Sequence, residues 1–209
     1  RCMLIIDELP VDAEPRLAAL NNVNQLLVRT SHGQINDIFN EASTTRDRKS
    51  IENVLVWKTA YYTFANPLQF GAILASAPQP ALDALMRYSL AAGRAFQISD
   101  DIIGTFGSQE KTGKSPSDDI KEGKRTLLVI KALEMATSAD AKFLESQLGN
   151  ADLSVDDFAR CQEIIRNCGA LDYAQDELSA SCKQAVACTK DPQLPNGDGL
   201  RFLRGLANY

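Results

Sequence analysis

The stretch FQISDDIIGTFGSQEKTGKSPSDDIKEGKRT, residues 96 to 126, gathers the residues whose types and spacing could do chemistry. Asp100 and Asp101 are adjacent at the end of a mostly apolar run, and Gln97 lies three residues before the first and four before the second. On a helix these three side chains leave neighbouring parts of one face. Two adjacent acids in apolar surroundings are costly unless a cation compensates them. Mg2+ suits such a pair, because it takes carboxylate oxygens, keeps several waters and bridges to phosphate oxygens. Taken alone, the pair favours a plainer reading, a solvated helix end with two acids.

The loop after the acids moves the balance. Lys114 comes just after Gly113, and Lys124 just after Gly123. Glycine lets backbone approach a ligand closely, and lysine offers a compact point charge suited to phosphate. Acids for a metal and lysines for phosphate, on either side of one loop, are what a metal–diphosphate complex needs. A mixed-charge surface loop is common, and each element alone is compatible with one. The acid pair, Gln97 and two Gly-Lys units together favour diphosphate.

These residues need elements to position them, and helical periodicity dominates the chain. From Pro15 to about Ala42, Leu17, Leu20, Val23, Leu26, Leu27, Ile35, Ile38 and Phe39 recur every three or four residues. A second helix is expected from Arg48 to Phe64, with Pro67 marking its end or a kink. Pro80 sits near a first helical turn, and the long helix after it is expected to reach about Phe106. Leu82, Leu85, Met86, Leu90, Phe96 and Ile102 are its expected inward residues. Beyond a polar loop at 107 to 118, TLLVIKALEMA reads as a buried helix. LSVDDFARCQEIIRNCG carries Ser154 as N-cap, Asp157 at its third position and Gly169 as a stop. LDYAQDELSASCKQAVAC is amphipathic, and PQLPNGDG is a loop before a short terminal helix. No stretch calls for a strand. The expectation is an all-α fold, residues 1–209 forming a single domain of packed helices.

With 209 residues and 44% hydrophobic content, the chain can bury a sizeable core. A net charge of −5 gives no support for nucleic-acid binding. The cysteines, Cys2, Cys161, Cys168, Cys182 and Cys188, are odd in number and no pair has metal-ligand spacing. Cys161 and Cys168 read as small core residues, and a reducing cytoplasm is the expected compartment. No apolar run is long enough to insert stably in a membrane, and no secretory signal is visible. RCMLIIDELP, without an initiator Met, opens inside an apolar segment and reads as a chain entered part-way along.

FQISDDIIG, TGK and DDIKEGKRT together resemble the second aspartate-rich motif and the phosphate-binding lysines of the trans-isoprenyl diphosphate synthases. HGQINDI resembles that family's GQxxD helix, and KTAYYTFANPLQFGA its KTxxY segment with the Pro and Gly of the next helix. The motifs stand in the right order and cover about residues 20 to 135, while the last 60 or so residues match only as generic helices.

The resemblance implies helices packed around a central cavity and a Mg2+-dependent, head-to-tail prenyl transfer. Isopentenyl diphosphate and an allylic diphosphate would be the substrates. Carried over, Lys58 and Thr59 would touch the allylic diphosphate, and Gln97 would lie beside the reacting end. Asp100 and Asp101 would bind Mg2+, with Asp119 as a further contributor, and Lys114 and Lys124 would neutralise the diphosphate. Lys58, Gln97, Asp100 and Lys114 are the expected catalytic set. Lys58 has a plainer reading as a solvated helix lysine, but its aromatic setting VWKTAYYTF favours burial toward a site. Gln34 and Asp37 would lie near the cavity, with structural and ligand roles equally open. His32 reads as a helix-packing residue rather than a base. The apolar helix faces, and the family's habit, suggest a homodimer.

Two departures matter. Many members of the family carry a DDxxD motif here, whereas this sequence has Gly104 at the fifth position. The family's first aspartate-rich motif and the arginines after it would lie before residue 1, making the chain the C-terminal portion of a synthase. With half the metal site, the chain alone is expected to catalyse inefficiently. Two other classes compete with the prenyltransferase. A non-catalytic regulatory subunit would keep the fold and pair with an active partner. A terpene cyclase would share the fold, but would carry an Asn/Ser/Glu metal motif where Asp100 and Asp101 stand. Retention of the lysines, Gln97 and the acid pair favours the synthase.

Overall fold

The computed structural model describes residues 2–42, 55–108, 110, 113 and 115–208. Among them the extended regular elements are all helices, as the periodicity predicts. In chain order they are α1 (Cys2–Asp7), α2 (Ala13–Ala42), a π-helix (Leu55–Ala65), α3 (Asn66–Leu74), α4 (Gln79–Phe106) and α5 (Asp118–Lys121). Then come α6 (Leu127–Met135), α7 (Ser138–Gln147), α8 (Val155–Asn167), α9 (Ala170–Cys188) and α10 (Asp198–Leu206).

Several boundaries are set by local chemistry. Ser154 Oγ accepts the Asp157 N–H at 3.1 Å and starts α8. Gly169, at φ 84°, ends it in the left-handed region where glycine is favoured. Thr126 Oγ1 accepts the Val129 N–H at 3.3 Å and opens α6. α7 is absent from the sequence expectation because Leu144 is its only fully buried residue, so its apolar period is faint. A Thr137 cap on Asp140 N, at 3.2 Å, starts it instead.

The expected second helix differs in kind. Its described part winds as a π-helix and runs directly into α3, and Pro67 falls in the first turn of α3 rather than at a stop. A change from i→i+5 to i→i+4 bonding is well placed there, since proline has no N–H to donate.

The described chain groups into two compact units. One draws on residues 1–36, 53–95 and 180–209. Its core is built from Phe64, Tyr88, Ala91, Ala92, Ala185, Leu203 and Ala207, and the Tyr88 hydroxyl donates to the Leu203 carbonyl at 2.7 Å. The other draws on residues 37–52 and 96–179. Ile98, Ile120, Leu127, Leu128, Leu144, Cys161, Ile164 and Ile165 are in its core.

Two expected faces need correction. The fully buried positions of α4 are mainly small, among them Ala81, Ala84, Ala91, Ala92 and Ala95 with Tyr88 and Ile98, whereas Phe96 is 50% exposed. Leu85 and Ile102 pack partly buried against the cores, as expected, while the alanines let neighbouring helices come close. On α2, Leu17, Leu27, Ile35, Ile38 and Phe39 are exposed. Among its described residues only Ala19 and Gly33 are buried.

Candidate metal and diphosphate site

In the second unit the site begins with Ile98. It is 1% exposed in the core and so fixes the rotation of α4 around it. That rotation buries Asp101 to 5% exposure and leaves its neighbour Asp100 in solvent. The two acids are therefore not equivalent. Gln97 Nε2 donates to Asp101 Oδ1 at 2.9 Å, one helical turn along. Oδ2 of Asp101 is buried with no hydrogen-bond partner. Burial pushes the Asp101 carboxyl up to about 7; the Gln97 hydrogen bond opposes this, the charges of Asp119 and Asp100 add to it, and the Leu127 N–H opposes it. A buried carboxyl with an orphaned oxygen fits a divalent cation.

Beside it lies a second acid. A Cβ built on Gly104 would stand 2.6 Å from Asp119 Oδ2 and 3.6 Å from its Cγ. The carboxylate of Asp119 thus takes up the room next to the glycine. Asp119 is held on α5, whose Ile120 is 1% exposed in the same core. Lys124 Nζ meets Asp119 Oδ1 at 2.7 Å and Glu122 Oε2 at 2.8 Å. Burial lowers the affinity of Lys124 for its proton, but hydrogen bonds to Asp119 and Glu122 outweigh it and hold the ammonium above the ordinary lysine range. Lys124 is therefore already engaged with carboxylates.

The glycines of the two Gly-Lys units serve the turns themselves: Gly113 and Gly123 have φ of 71° and 75°. Gly123 also passes Gly149, whose N–H donates to Ile120 O at 2.9 Å, so this tight corner holds α5 in place. Arg125, absent from the candidates that sequence alone suggests, has a buried Nη1 without a hydrogen-bond partner. Its signal is its position directly after Lys124 in EGKRT.

In the first unit, Thr59 is half-buried on the π-helix, next to the buried Ala60. A Cβ on Gly93 of α4 would lie 2.5 Å from both Cα and Cβ of Ala60. Gly93 thus allows the close backbone approach that fixes the segment carrying Lys58 and Thr59. The backbone of Lys58 belongs to this π-helix. Its side chain, that of Asp37 and the whole of Lys114 fall outside the described residues. Gln34 and His32 are exposed.

Among the described residues no three His, Cys, Asp or Glu side chains are grouped to hold a metal ion. No helix of the described residues is long and apolar enough to cross a membrane. Cys161, Cys168, Cys182 and Cys188 are free thiols, Cys161 being fully buried as expected.

Comparison with known proteins gives a consistent picture. A family model described as polyprenyl synthetase matches residues 2–165, further than the motifs alone reach. The chain is 34% identical over 179 residues to the geranylgeranyl diphosphate synthase of Saccharolobus solfataricus, covering 86% of this chain and 53% of that protein. It is 34% identical over 164 residues to a short chain isoprenyl diphosphate synthase of Methanothermobacter thermautotrophicus, covering 78% of this chain and 49% of that one. The chain therefore spans about half the length of the curated relatives it matches. Among solved structures, geranylgeranyl pyrophosphate synthase from Corynebacterium glutamicum, complexed with isoprenyl diphosphate and magnesium, superposes with a TM-score of 0.87 at 32% identity. The match covers 94% of this chain and 56% of that one.

Proposed function

The chain belongs to the polyprenyl synthetase family, and on that premise we propose that it serves Mg2+-dependent prenyl transfer, condensing isopentenyl diphosphate with an allylic diphosphate into a longer isoprenyl diphosphate. One observation carries the reading: Asp101, buried, clamped by Gln97 at 2.9 Å and left with an orphaned Oδ2. An anion kept in such a place is costly without a cation beside it. The Corynebacterium relative, solved with magnesium and isoprenyl diphosphate, supports Mg2+ as that cation.

Asp101 and Asp100 hold the ion, and Gln97 keeps the Asp101 carboxylate oriented. Mg2+, when bound, supplies neutralisation of the charge that builds on the departing diphosphate. Lys58, Thr59 and Lys114 bind the allylic diphosphate, while the Lys124 ammonium is taken up by Asp119 and Glu122. Gln97 lies beside the reacting end. Departure of diphosphate leaves an allylic cation, the double bond of isopentenyl diphosphate attacks it, and a proton is lost. Apolar helix faces keep water from that cation. A homodimer is supported by the exposed Leu17, Leu27 and Val28 of α2, and the free thiols suit a reducing cytoplasm.

The test is incubation of the protein with Mg2+, labelled isopentenyl diphosphate and allylic diphosphates of increasing length. Label in a longer isoprenyl diphosphate is the expected outcome. A cyclic hydrocarbon formed from one diphosphate, with no label taken up, would make the protein a cyclase. No turnover alone, with faster turnover when mixed with an active synthase, would make it a regulatory subunit.

A further inference from the structure

We propose that the first unit binds an isoprenyl hydrocarbon chain in the cavity lined by α3, the start of α4 and residues 194–203. The choice of chain rests on the prenyl-transfer reading above; the cavity itself does not. Its volume is about 500 Å³, within the range of about 300–1,000 Å³ usual for small-molecule sites. Of its lining residues only Asn196 carries a polar side chain, and Leu68, Leu85, Leu194 and Phe202 are among the rest. A ligand that fits has almost nothing to hydrogen-bond along its length. None of the lining residues belongs to the set assigned to the metal or the diphosphates.

The walls are built rather than incidental. Leu194 and Leu200 are buried with Ala84, which fixes the segment after α9 against α4. Arg87 of α4 meets Asp191 at 2.7 Å, and Asp191 Oδ1 accepts the Gln193 N–H at 2.9 Å. Arg204 Nε of α10 donates to Thr189 Oγ1 at 3.1 Å. The segment is thus held from both sides, and the cavity is preformed. Its surface favours a branched chain. A Cβ added at Gly71, Gly197 or Gly199 would meet nothing within 4 Å, so each glycine leaves a recess that a methyl branch can enter. An isoprenyl chain carries such a methyl on every isoprene unit. Phe202, 67% exposed beside the cavity, is the apolar surface that the chain would cover. Arg87 is paired with Asp191 and Arg201 with Asp198, so no uncompensated cation of these two pairs remains for an anionic head group. The site takes the chain and leaves the head in water.

Tritiated farnesol, an isoprenyl alcohol without diphosphate, serves as probe in equilibrium dialysis with Mg2+ and inorganic diphosphate present. Saturable binding to the unmodified protein is expected. Gly71→Leu fills the cavity and should abolish that binding, with an unchanged circular dichroism spectrum and no loss of melting temperature, since leucine is the better helix former and enters open space. Phe202→Ala should weaken binding about tenfold. Asp101→Asn should leave it unchanged. If Gly71→Leu fails to fold, Ala75→Leu and Phe202→Ala decide the matter. Farnesol binding that is kept in Gly71→Leu and lost in Asp101→Asn places the chain at the metal site and overturns the proposal. Tighter binding of straight-chain dodecanol than of farnesol overturns the isoprenyl assignment. No saturable binding overturns the site and leaves prenyl transfer standing on Mg2+ and diphosphate; if Phe202→Ala then also sediments as a smaller species, the cavity is a contact between copies of the chain. Farnesol binding without any prenyl transfer keeps the site and removes the reading of function.

Discussion

Asp101 is a carboxyl placed where charge is penalised and cation binding rewarded. Its neutral form is favoured up to about pH 7 by burial, with Asp100 and Asp119 adding to the effect. The sign for stability comes from the raised value. Below the ordinary 3.8 the group is protonated folded or unfolded; as pH rises through 7, the unfolded chain has already ionised and the folded one pays for it, so stability falls. Asp101→Asn cannot ionise. Without metal, its melting temperature relative to wild type should therefore rise between pH 4 and pH 8, and Mg2+ should shrink that gain. A difference that stays flat over this range would contradict the burial account. Much at this scale was legible in sequence, since Gln97, Asp100 and Asp101 share a face by spacing alone. The split between a buried Asp101 and an exposed Asp100 was not, because it depends on how the core turns α4 around Ile98. Nor was the engagement of Lys124 with Asp119, which needs the corner at Gly123.

At the scale of elements, most helices after residue 66 and the cap at Ser154 could be read from residue types, whereas Thr126, read as part of its helix, proves to be the cap. The π-helix could not, because LVWKTAYYTFA is apolar on most sides and its period does not tell one helix type from the other. π-helical turns are frequent at functional sites, and this one carries Lys58 and Thr59. Gly93 decides its placement. Gly93→Ala would drive a Cβ to 2.5 Å from backbone and side-chain atoms of Ala60. Overpacking of that kind costs about 1–3 kcal/mol. The variant should melt at lower temperature and show a raised KM for the allylic diphosphate. An unchanged melting temperature would mean that the two helices are not held as described.

At the scale of the molecule each unit has its own core, and in the first an alanine lining around one large polar aromatic lets its helices pack closely. Tyr88 is fully buried, and burial pushes its hydroxyl up to about 12 from 10.0. The neutral form is the one that fits, so stability is full below pH 10 and is lost as pH rises toward 12. Tyr88→Phe should abolish that alkaline loss while lowering stability at neutral pH by about 1 kcal/mol, the usual net worth of a hydrogen bond such as that to Leu203 O. Equal alkaline sensitivity in urea unfolding of both proteins would contradict it. The all-α class and the family were legible from period and ordered motifs, whereas the exposed apolar side of α2 was not, because periodicity reports a face without saying what covers it. The central claim is that this helical scaffold holds a diphosphate through a divalent cation. Calorimetric titration of the protein with inorganic diphosphate, with and without Mg2+, tests it most directly. Binding that requires Mg2+ and is lost in Asp101→Asn is the expected result; equal binding without Mg2+, or undiminished binding in that variant, would contradict the claim.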